Sequence, residues 1–472
     1  MEAKTHIALV SVPVYSHQRS ILEFSKQLVH LHKGIHVTCI NPTFSSPCCN
    51  TLALFHSLPP TIDYMFLPPI NLEDLPHDTH PAVHVQFTIS QSLPLIHDAL
   101  KTLHSTSNLV AIISDGLITQ VLPFGKELNV LSYTYFPSTA MLLSLCLYSS
   151  MLDKKISCEY KDLLDPIEIP GCIPIPGTDL PDPLHYDRSG EVYKQFLEAN
   201  ERFYLADGIL VNTFYEMEAN TIRALQQQEG RGIPSVFAIG PFVQKGSCTE
   251  GSTNEAEYLR WLDKQEQNSV LYVSFGSGGT IFQDQLNEIA CGLELSGQKF
   301  LWVLRPPNKF GIIVDIGAET ENPLKFLPNG FLHRTKGHGM VVPYWASQVQ
   351  ILGHGAIGGF LCHCGWNSTL EGVVHGIPLI AWPLFAEQKM NAVLLTNGLK
   401  VALRPKVNEK GIVEREEIAK VIKNLMVGEE GKGIRQGMEN LKVAADNALK
   451  EDGSSTRTLT QLALKWTSLG VA

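Results

Sequence analysis

At 472 residues the chain is too long for one ordinary hydrophobic core, so its length predicts two domains of about 200 residues each. A hydrophobic share of 44% with 18% charged residues excludes a disordered chain. A formal net charge of −10 excludes a broad surface for nucleic acid or anionic membrane, so any phosphate it binds must be held by local geometry.

The amino terminus, MEAKTHIALVSVPV, carries Glu2, and its apolar run stops at Pro13, which makes a poor signal peptide. Thr5 to Val12 is a short β-rich run. After PVYSHQRS, the residues Ile21, Leu22, Phe24, Leu28 and Val29 fall close to one helical face, and GIHVTCI follows as a second strand. Strand, loop, helix, strand is a βαβ unit, which implies a parallel sheet. The pattern recurs at LVAIISDG and at GILVNTF, from Gly208 to Phe214. Met141 to Met151 is the longest apolar candidate; serines break it, and it falls short of the roughly 18 residues of a membrane span, so it predicts a buried helix.

Ile239 to Glu257, rich in Gly, Ser, Thr and charge, predicts a linker. Beyond it the alternation restarts, with SVLYVSFGSGG, KFLWVL, GMVVPYWA, IGGFLCHCG, IPLIAWP and KVALRP reading as strands, most of them separated by helix-length segments. EDGSSTRTLTQLALKWTSL closes the chain as a capped, amphipathic helix. The expected organisation is two doubly wound α/β domains facing a cleft. They cover residues 1–240 and 258–450, with a linker at 241–257 and a C-terminal helix at 451–472 packing back on the first domain. Ten cysteines without a signal segment read as reduced thiols in the cytosol, which weakens Asn367-Ser368-Thr369 as a glycosylation acceptor.

The run from Gly358 to Gly376, GGFLCHCGWNSTLEGVVHG, concentrates chemistry at a strand-to-helix turn. Cys362, His363 and Cys364 make a poor metal set, because consecutive strand residues point to opposite faces and no second Cys/His pair stands at zinc-finger spacing. No metal is expected. A phosphate cradle suits the residues better. If the strand ends near His363 and the helix begins near Asn367, free backbone N–H groups and the positive helix end face the turn. Gly365 permits a tight backbone, while His363, Asn367 and Ser368 can add donors. The plain alternative is a capped helix with a buried His and Trp.

The 44 residues from Trp345 to Gln388, WASQVQILGHGAIGGFLCHCGWNSTLEGVVHGIPLIAWPLFAEQ, resemble the signature box of the plant secondary-product UDP-glycosyltransferases. The likeness includes Trp345, Gln348, His354, the whole His363–Ser368 run, Glu371, Gly376, Pro378, Pro383 and the closing Glu387-Gln388. It departs at Ser347, where the family usually has proline, a change expected to affect loop stiffness. The resemblance covers the chain and implies the GT-B fold, two Rossmann-like domains, with UDP-glucose as donor substrate and no cofactor. By the same resemblance Trp345 stacks on uracil with the Ala346 backbone and Gln348 nearby, and Glu371 accepts both ribose hydroxyls. His363, Gly365, Asn367 and Ser368 hold the diphosphate, helped by Ser277 in SFGSGG; Trp366, Glu387 and Gln388 address the sugar, and Ser138 lies near the sugar or its β-phosphate.

In this family a histidine in the loop after the first strand acts as general base, and His17 stands at that position, in a βα turn of the kind where open-sheet ligands bind. Asp115, closing AIISDG, matches the acid that orients it, against the alternative of a helix cap. The family usually has glycines just before this histidine and a proline just after it. Val14, Ser16 and Ser20 stand there instead and are expected to reshape the acceptor pocket. Other candidate walls are HPAVHVQFTISQSLP and Pro183 to Tyr204, with Tyr186 and Tyr193. LYVSFGSGGT and GLELSGQKFLWVLRPP look most like the hydroquinone, monolignol and flavonol glucosyltransferase branch. The expected activity is inverting O-glucosylation of a small phenolic in the cytoplasm, with no nucleic-acid partner, no stable membrane insertion and no indication of oligomers. The alternatives are a sugar-nucleotide-binding protein with weak or no activity, or a transferase using another UDP-sugar. A dinucleotide oxidoreductase fits less well, because no Gly-x-Gly-x-x-Gly turn follows the first strand.

Overall fold

The structure, a computed structural model, describes residues 5–72, 75–76, 79–229, 232–244, 253–308 and 321–470. The chain divides into two compact units, Met1–Gln244 with Ala445–Ala472, and Lys245–Ala444. Part of the stretch read as a linker, 245–252, lies outside the described residues.

Among the described residues the first unit is built on seven parallel strands: β1 (Thr5–Val10), β2 (Ile35–Asn41), β3 (Ile62–Phe66), β4 (Asn108–Asp115), β5 (Leu131–Phe136), β6 (Gly208–Val211) and β7 (Val236–Ala238). Their order in the sheet is β3-β2-β1-β4-β5-β6-β7. Every residue of β1 and β6 is buried, as expected of central strands covered on both faces, which read as unbroken apolar runs. β3 lacks that signature, because it is an edge strand and its IDYMF is half-exposed. β5 hides its apolar character behind Ser132, Tyr133, Thr134 and Tyr135. Neither these two nor the three-residue β7 stands out in the sequence.

The chain leaves β1 in one direction to β2 and later returns to place β4 on its other side. The carboxyl ends of β1 and β4 therefore form a topological switch point, the place where open α/β sheets leave a crevice for ligands. Helix Tyr15–Leu31 starts only four residues after β1, so His17 lies in its first turn, not in a loop. The helix Ala140–Lys155 takes up the apolar run from Met141 and buries most of it. Among the described residues no helix is long and apolar enough to cross a membrane.

Helix Ser454–Leu469 belongs to the first unit. Trp466 is fully buried, edge-on to Tyr133 at 5.4 Å between ring centroids. Asn108 Nδ2 donates to Gly470 O at 2.7 Å, and Ser455 Oγ donates to Gly240 O at 2.5 Å. The cap expected from the sequence is absent at its start, since Gly453 has no side chain to supply one.

Among the described residues the second unit has six parallel strands, all anticipated: β8 (Val270–Ser274), β9 (Lys299–Leu304), β10 (Gly339–Pro343), β11 (Ile357–Cys362), β12 (Leu379–Ala381) and β13 (Ala402–Leu403). Their order is β10-β9-β8-β11-β12-β13, with the switch point between β8 and β11. Trp302, Phe300 and Phe331 fill the core beside β9, with the helices Gln283–Ser296 and Arg415–Val427 packed together against it.

Candidate active site

Each unit carries its group of candidate residues at the carboxyl ends of its strands, so two half-sites are described in turn. In the first, His17 Nδ1 lies 2.8 Å from Asp115 Oδ2. Asp115 is fully buried, and the imidazole keeps 25% of its surface exposed. The other carboxylate oxygen, Oδ1, accepts the Leu117 N–H at 2.9 Å. This second bond closes a local turn and caps no helix, because the next helical turn, Thr119–Val121, has Ile118 at its cap position. A carboxylate at Nδ1 holds the neutral ring as the Nδ1–H tautomer and leaves the basic lone pair on Nε2.

Ser138 is buried just before helix Ala140–Lys155, and its Oγ has no hydrogen-bond partner among the described residues. The helix start behind it is held twice. Thr139 Oγ1 accepts the Leu142 N–H, and the buried Glu218 carboxylate accepts those of Ala140 and Met141, each at 2.9 Å. Burial pushes the Glu218 carboxyl up. Nothing local in the sequence points to Glu218, because it reaches this turn from 78 residues away.

Of the three residues expected to reshape the acceptor pocket, Val14 and Ser16 are half-buried, but Ser20 is not a wall. It is 3% exposed and its hydroxyl is tied inward to Tyr135 Oη at 2.7 Å and to Asn212 Nδ2 at 3.2 Å. Tyr193 is likewise withdrawn. It is buried, donates to Asp153 Oδ1 at 2.6 Å, and lies beneath the Arg188 guanidinium, whereas Tyr186 stays exposed. The stretch HPAVHVQFTISQSLP forms the cap and opening turns of helix Pro81–Thr106.

In the second half-site β11 ends at Cys362 and helix Trp366–His375 begins at Trp366, each one residue earlier than expected. The tight turn uses Cys364, at φ +63°, as its left-handed residue, whereas Gly365 has an ordinary φ of −62°. Gly365 matters for space. A Cβ there would strike the His363 ring, and so would one on Gly276 (φ +77°) in the loop after β8. Two glycines thus bracket one imidazole. Asn391 Nδ2 donates to Cys364 O at 3.0 Å and fixes the turn from below.

Burial, helped by the nearby Arg305 charge, lowers the His363 pKa to about 4, so the ring is neutral at cellular pH. Its Nδ1 has no partner among the described residues. Burial pushes the Cys364 thiol up to about 12 and Cys362 well above its ordinary value, so both stay protonated. Among the described residues no three His, Cys, Asp or Glu side chains gather as a metal site.

Gln348 opens a short helix, Gln348–Leu352, and joins several candidates. Its Nε2 donates to Glu371 Oε2 at 2.6 Å and to Ser368 Oγ at 2.8 Å, while Oε1 accepts Tyr272 Oη–H at 3.3 Å. Glu371 is fully buried. Beside Ala346, Ser347 uses the N–H that a proline would lack, donating to Tyr258 Oη at 3.0 Å, so the departure from the family supplies a bond. Gln388 Oε1 accepts the N–H groups of Leu384 and Phe385, and Glu387 Oε1 accepts Asn391 Nδ2 at 3.4 Å. Trp366 is buried, and Asn367 follows it in the helix's first turn. Arg305 Nη1 donates to Ser277 O, and its guanidinium carbon stands 6.0 Å from the Trp345 ring centroid. Tyr272, Arg305, Gly276 and Asn391 were missed by sequence reasoning. Arg305 and Gly276 stand just past strand ends, the one signal that could have marked them, whereas Tyr272 lies in the middle of β8 and Asn391 in helix Gln388–Val393.

Two α/β units, each with its half-site at a switch point, define the class, and comparison with known proteins narrows it. Residues 232–431 match the family model "UDP-glucoronosyl and UDP-glucosyl transferase". The chain is 47% identical to a hydroquinone glucosyltransferase of Rauvolfia serpentina, covering 99% of this chain and 98% of the relative. It is 46% identical to UDP-glycosyltransferase 72B1 of Arabidopsis thaliana, covering 98% and 97%. A Polygonum tinctorium UDP-glucosyltransferase capable of glucosylating indoxyl, solved with 3,4-dichloroaniline, superposes with a TM-score of 0.90 at 44% identity, over 99% of this chain and 100% of that one. The chain belongs to the plant secondary-product UDP-glycosyltransferases and has their GT-B fold.

Proposed function

We propose that this enzyme is an inverting, UDP-glucose-dependent O-glucosyltransferase acting in the cytoplasm on small phenolic acceptors of the hydroquinone, monolignol or flavonol type. The observation that carries the reading is the 2.8 Å contact of His17 with the buried Asp115 at the first unit's switch point, in a chain so similar to a hydroquinone glucosyltransferase. A related solved structure, of Phytolacca americana UGT2 with UDP-2fluoro-glucose and pterostilbene, supports the same substrate classes; it is 42% identical with a TM-score of 0.88, over 99% of this chain and all of that one.

His17 Nε2 takes the proton of the acceptor hydroxyl, and Asp115 stabilises the imidazolium that forms. A phenol, with a pKa near ~10, gives up its proton more readily than an alkyl alcohol. The phenolic oxygen attacks the anomeric carbon as the bond from that carbon to the UDP oxygen breaks, so one displacement turns an α-linked donor into a β-glucoside. Charge then grows on the diphosphate. The backbone N–H groups at the start of helix Trp366–His375, with neutral His363, Ser368 and Asn367, receive it without a resident cofactor or metal. Trp345, Ala346, Gln348 and Glu371 hold the nucleoside, and Ser277 and Ser138 assist at the phosphates and sugar. Trp366, Glu387 and Gln388 select glucose.

The test is an assay of EDTA-treated, dialysed protein on a panel of phenols with UDP-glucose and UDP-galactose in competition. β-Glucosides should form at the rate of untreated protein. Galactosides made with comparable kcat/KM, α-linked products, or activity restored only by Mg²⁺ or Mn²⁺ would each count against the reading.

A further inference from the structure

Arg305 follows β9 directly and is 6% exposed, deep burial for a charged side chain. Its donors reach carbonyls on two different loops. Nε donates to Tyr344 O at 3.1 Å, in the loop after β10, and Nη1 donates to Ser277 O, in the loop after β8. β9 lies between β8 and β10 in the sheet, so a side chain at its carboxyl end is placed to span both neighbours.

Each gripped loop contains a left-handed residue at the point of contact. Tyr344 itself sits at φ +66°, and Gly276, at φ +77°, directly precedes Ser277. A tyrosine resists that conformation, and such backbone persists only where its surroundings hold it. The guanidinium also lies within cation–π range of Trp345, the residue after Tyr344, at 6.0 Å from the ring centroid. Its charge, after burial, helps keep His363 neutral.

We propose that Arg305 is the positioning residue of the nucleotide half-site, a clamp that holds the Ser277 loop and the Tyr344–Trp345 turn in their binding arrangement before UDP arrives. The proposal rests on reading the second unit as the donor site. A planar guanidinium can direct separate N–H groups to two carbonyls and lie against an aromatic ring, whereas lysine offers one compact ammonium. Ordering both loops in advance lowers the cost of binding, so the clamp acts on donor affinity.

The experiment is calorimetric titration of UDP into the full-length parent, Arg305→Lys and Arg305→Met, with steady-state kinetics and NMR titration of the His363 ring. Arg305→Lys should weaken UDP binding by roughly tenfold or more although it keeps the charge. Donor KM should rise with it, while kcat at saturating donor and the phenol KM change little. Arg305→Met should weaken UDP further and raise the His363 pKa, which Arg305→Lys should leave low. If Arg305→Met does not fold, Arg305→Lys alone decides. A parent that binds UDP and an Arg305→Lys protein that binds it equally well would overturn the clamp. A parent that does not bind UDP would sink the donor-site reading, and the clamp with it.

Discussion

A single carboxylate performs two tasks beside His17, and this sets what its replacement should do. Asp115 Oδ1 closes a turn on the Leu117 N–H while Oδ2 holds the imidazole, so Asp115→Asn keeps much of the shape but loses the charge that favours imidazolium. His17→Ala should lower turnover by roughly 10²–10⁴, the usual share of general acid–base catalysis. Asp115→Asn should lower kcat with UDP affinity little changed, because it lies in the first unit and the residues proposed to hold the nucleoside lie in the second. The double variant should be little slower than His17→Ala, since an orienter does nothing without its base. More acidic phenols should recover part of each loss. Multiplicative losses in a double-mutant cycle would mean that Asp115 serves only the turn. Both residues were legible from their motifs. Ser20 was not, because its hydroxyl meets Tyr135 and Asn212 only after distant segments fold together.

Helix Tyr15–Leu31 has to present His17 from its first turn, yet Val14 gives it no side-chain cap. Its anchoring comes one turn later. Ser20 joins Tyr135 on β5 and Asn212 just beyond β6, and Asn212 exchanges two hydrogen bonds with the Phe242 backbone at 2.7 and 3.1 Å. Burial raises the Tyr135 pKa, so the phenol stays protonated and remains a donor. Where the family usually has proline, this chain therefore fastens the helix through a polar cluster. Ser20→Ala would leave buried polar groups short of a partner, at a cost of about 1–3 kcal/mol. The expected result is a lower midpoint in urea denaturation followed by circular dichroism. A midpoint equal to the parent's would show that the cluster does not anchor the helix.

For the molecule as a whole, the last helix must rejoin a unit whose other residues ended at Gln244, before the whole of Lys245–Ala444. Trp466 is the centre of that return, edge-on to Tyr133 within the first unit. Trp466→Ala should cost about 3–5 kcal/mol, the range for removing a large buried ring. In a unit of this size that lowers the thermal midpoint by on the order of 10 °C. Differential scanning calorimetry would check it, and a midpoint unmoved by the substitution would mean that this helix is not an essential part of the first unit's core.

The division between what was readable and what was not follows sequence distance. Strands buried on both faces, such as β1, β4 and β8, appear as continuous apolar runs, and the signature box is one contiguous stretch, so fold class and family were visible in the chain alone. β3 and β5 were not, because half-exposure and a polar sequence hide them from any periodicity. Contacts made across the sheet were decided only by tertiary structure. Arg305 gains its two carbonyls from the flanking positions of β8 and β10, and His363 its room from Gly276 some 87 residues earlier. Strand order brings these partners together. A linear chain records the residue types, but which loops become neighbours depends on how parallel strands are laid side by side, and that arrangement exists only once the sheet has formed.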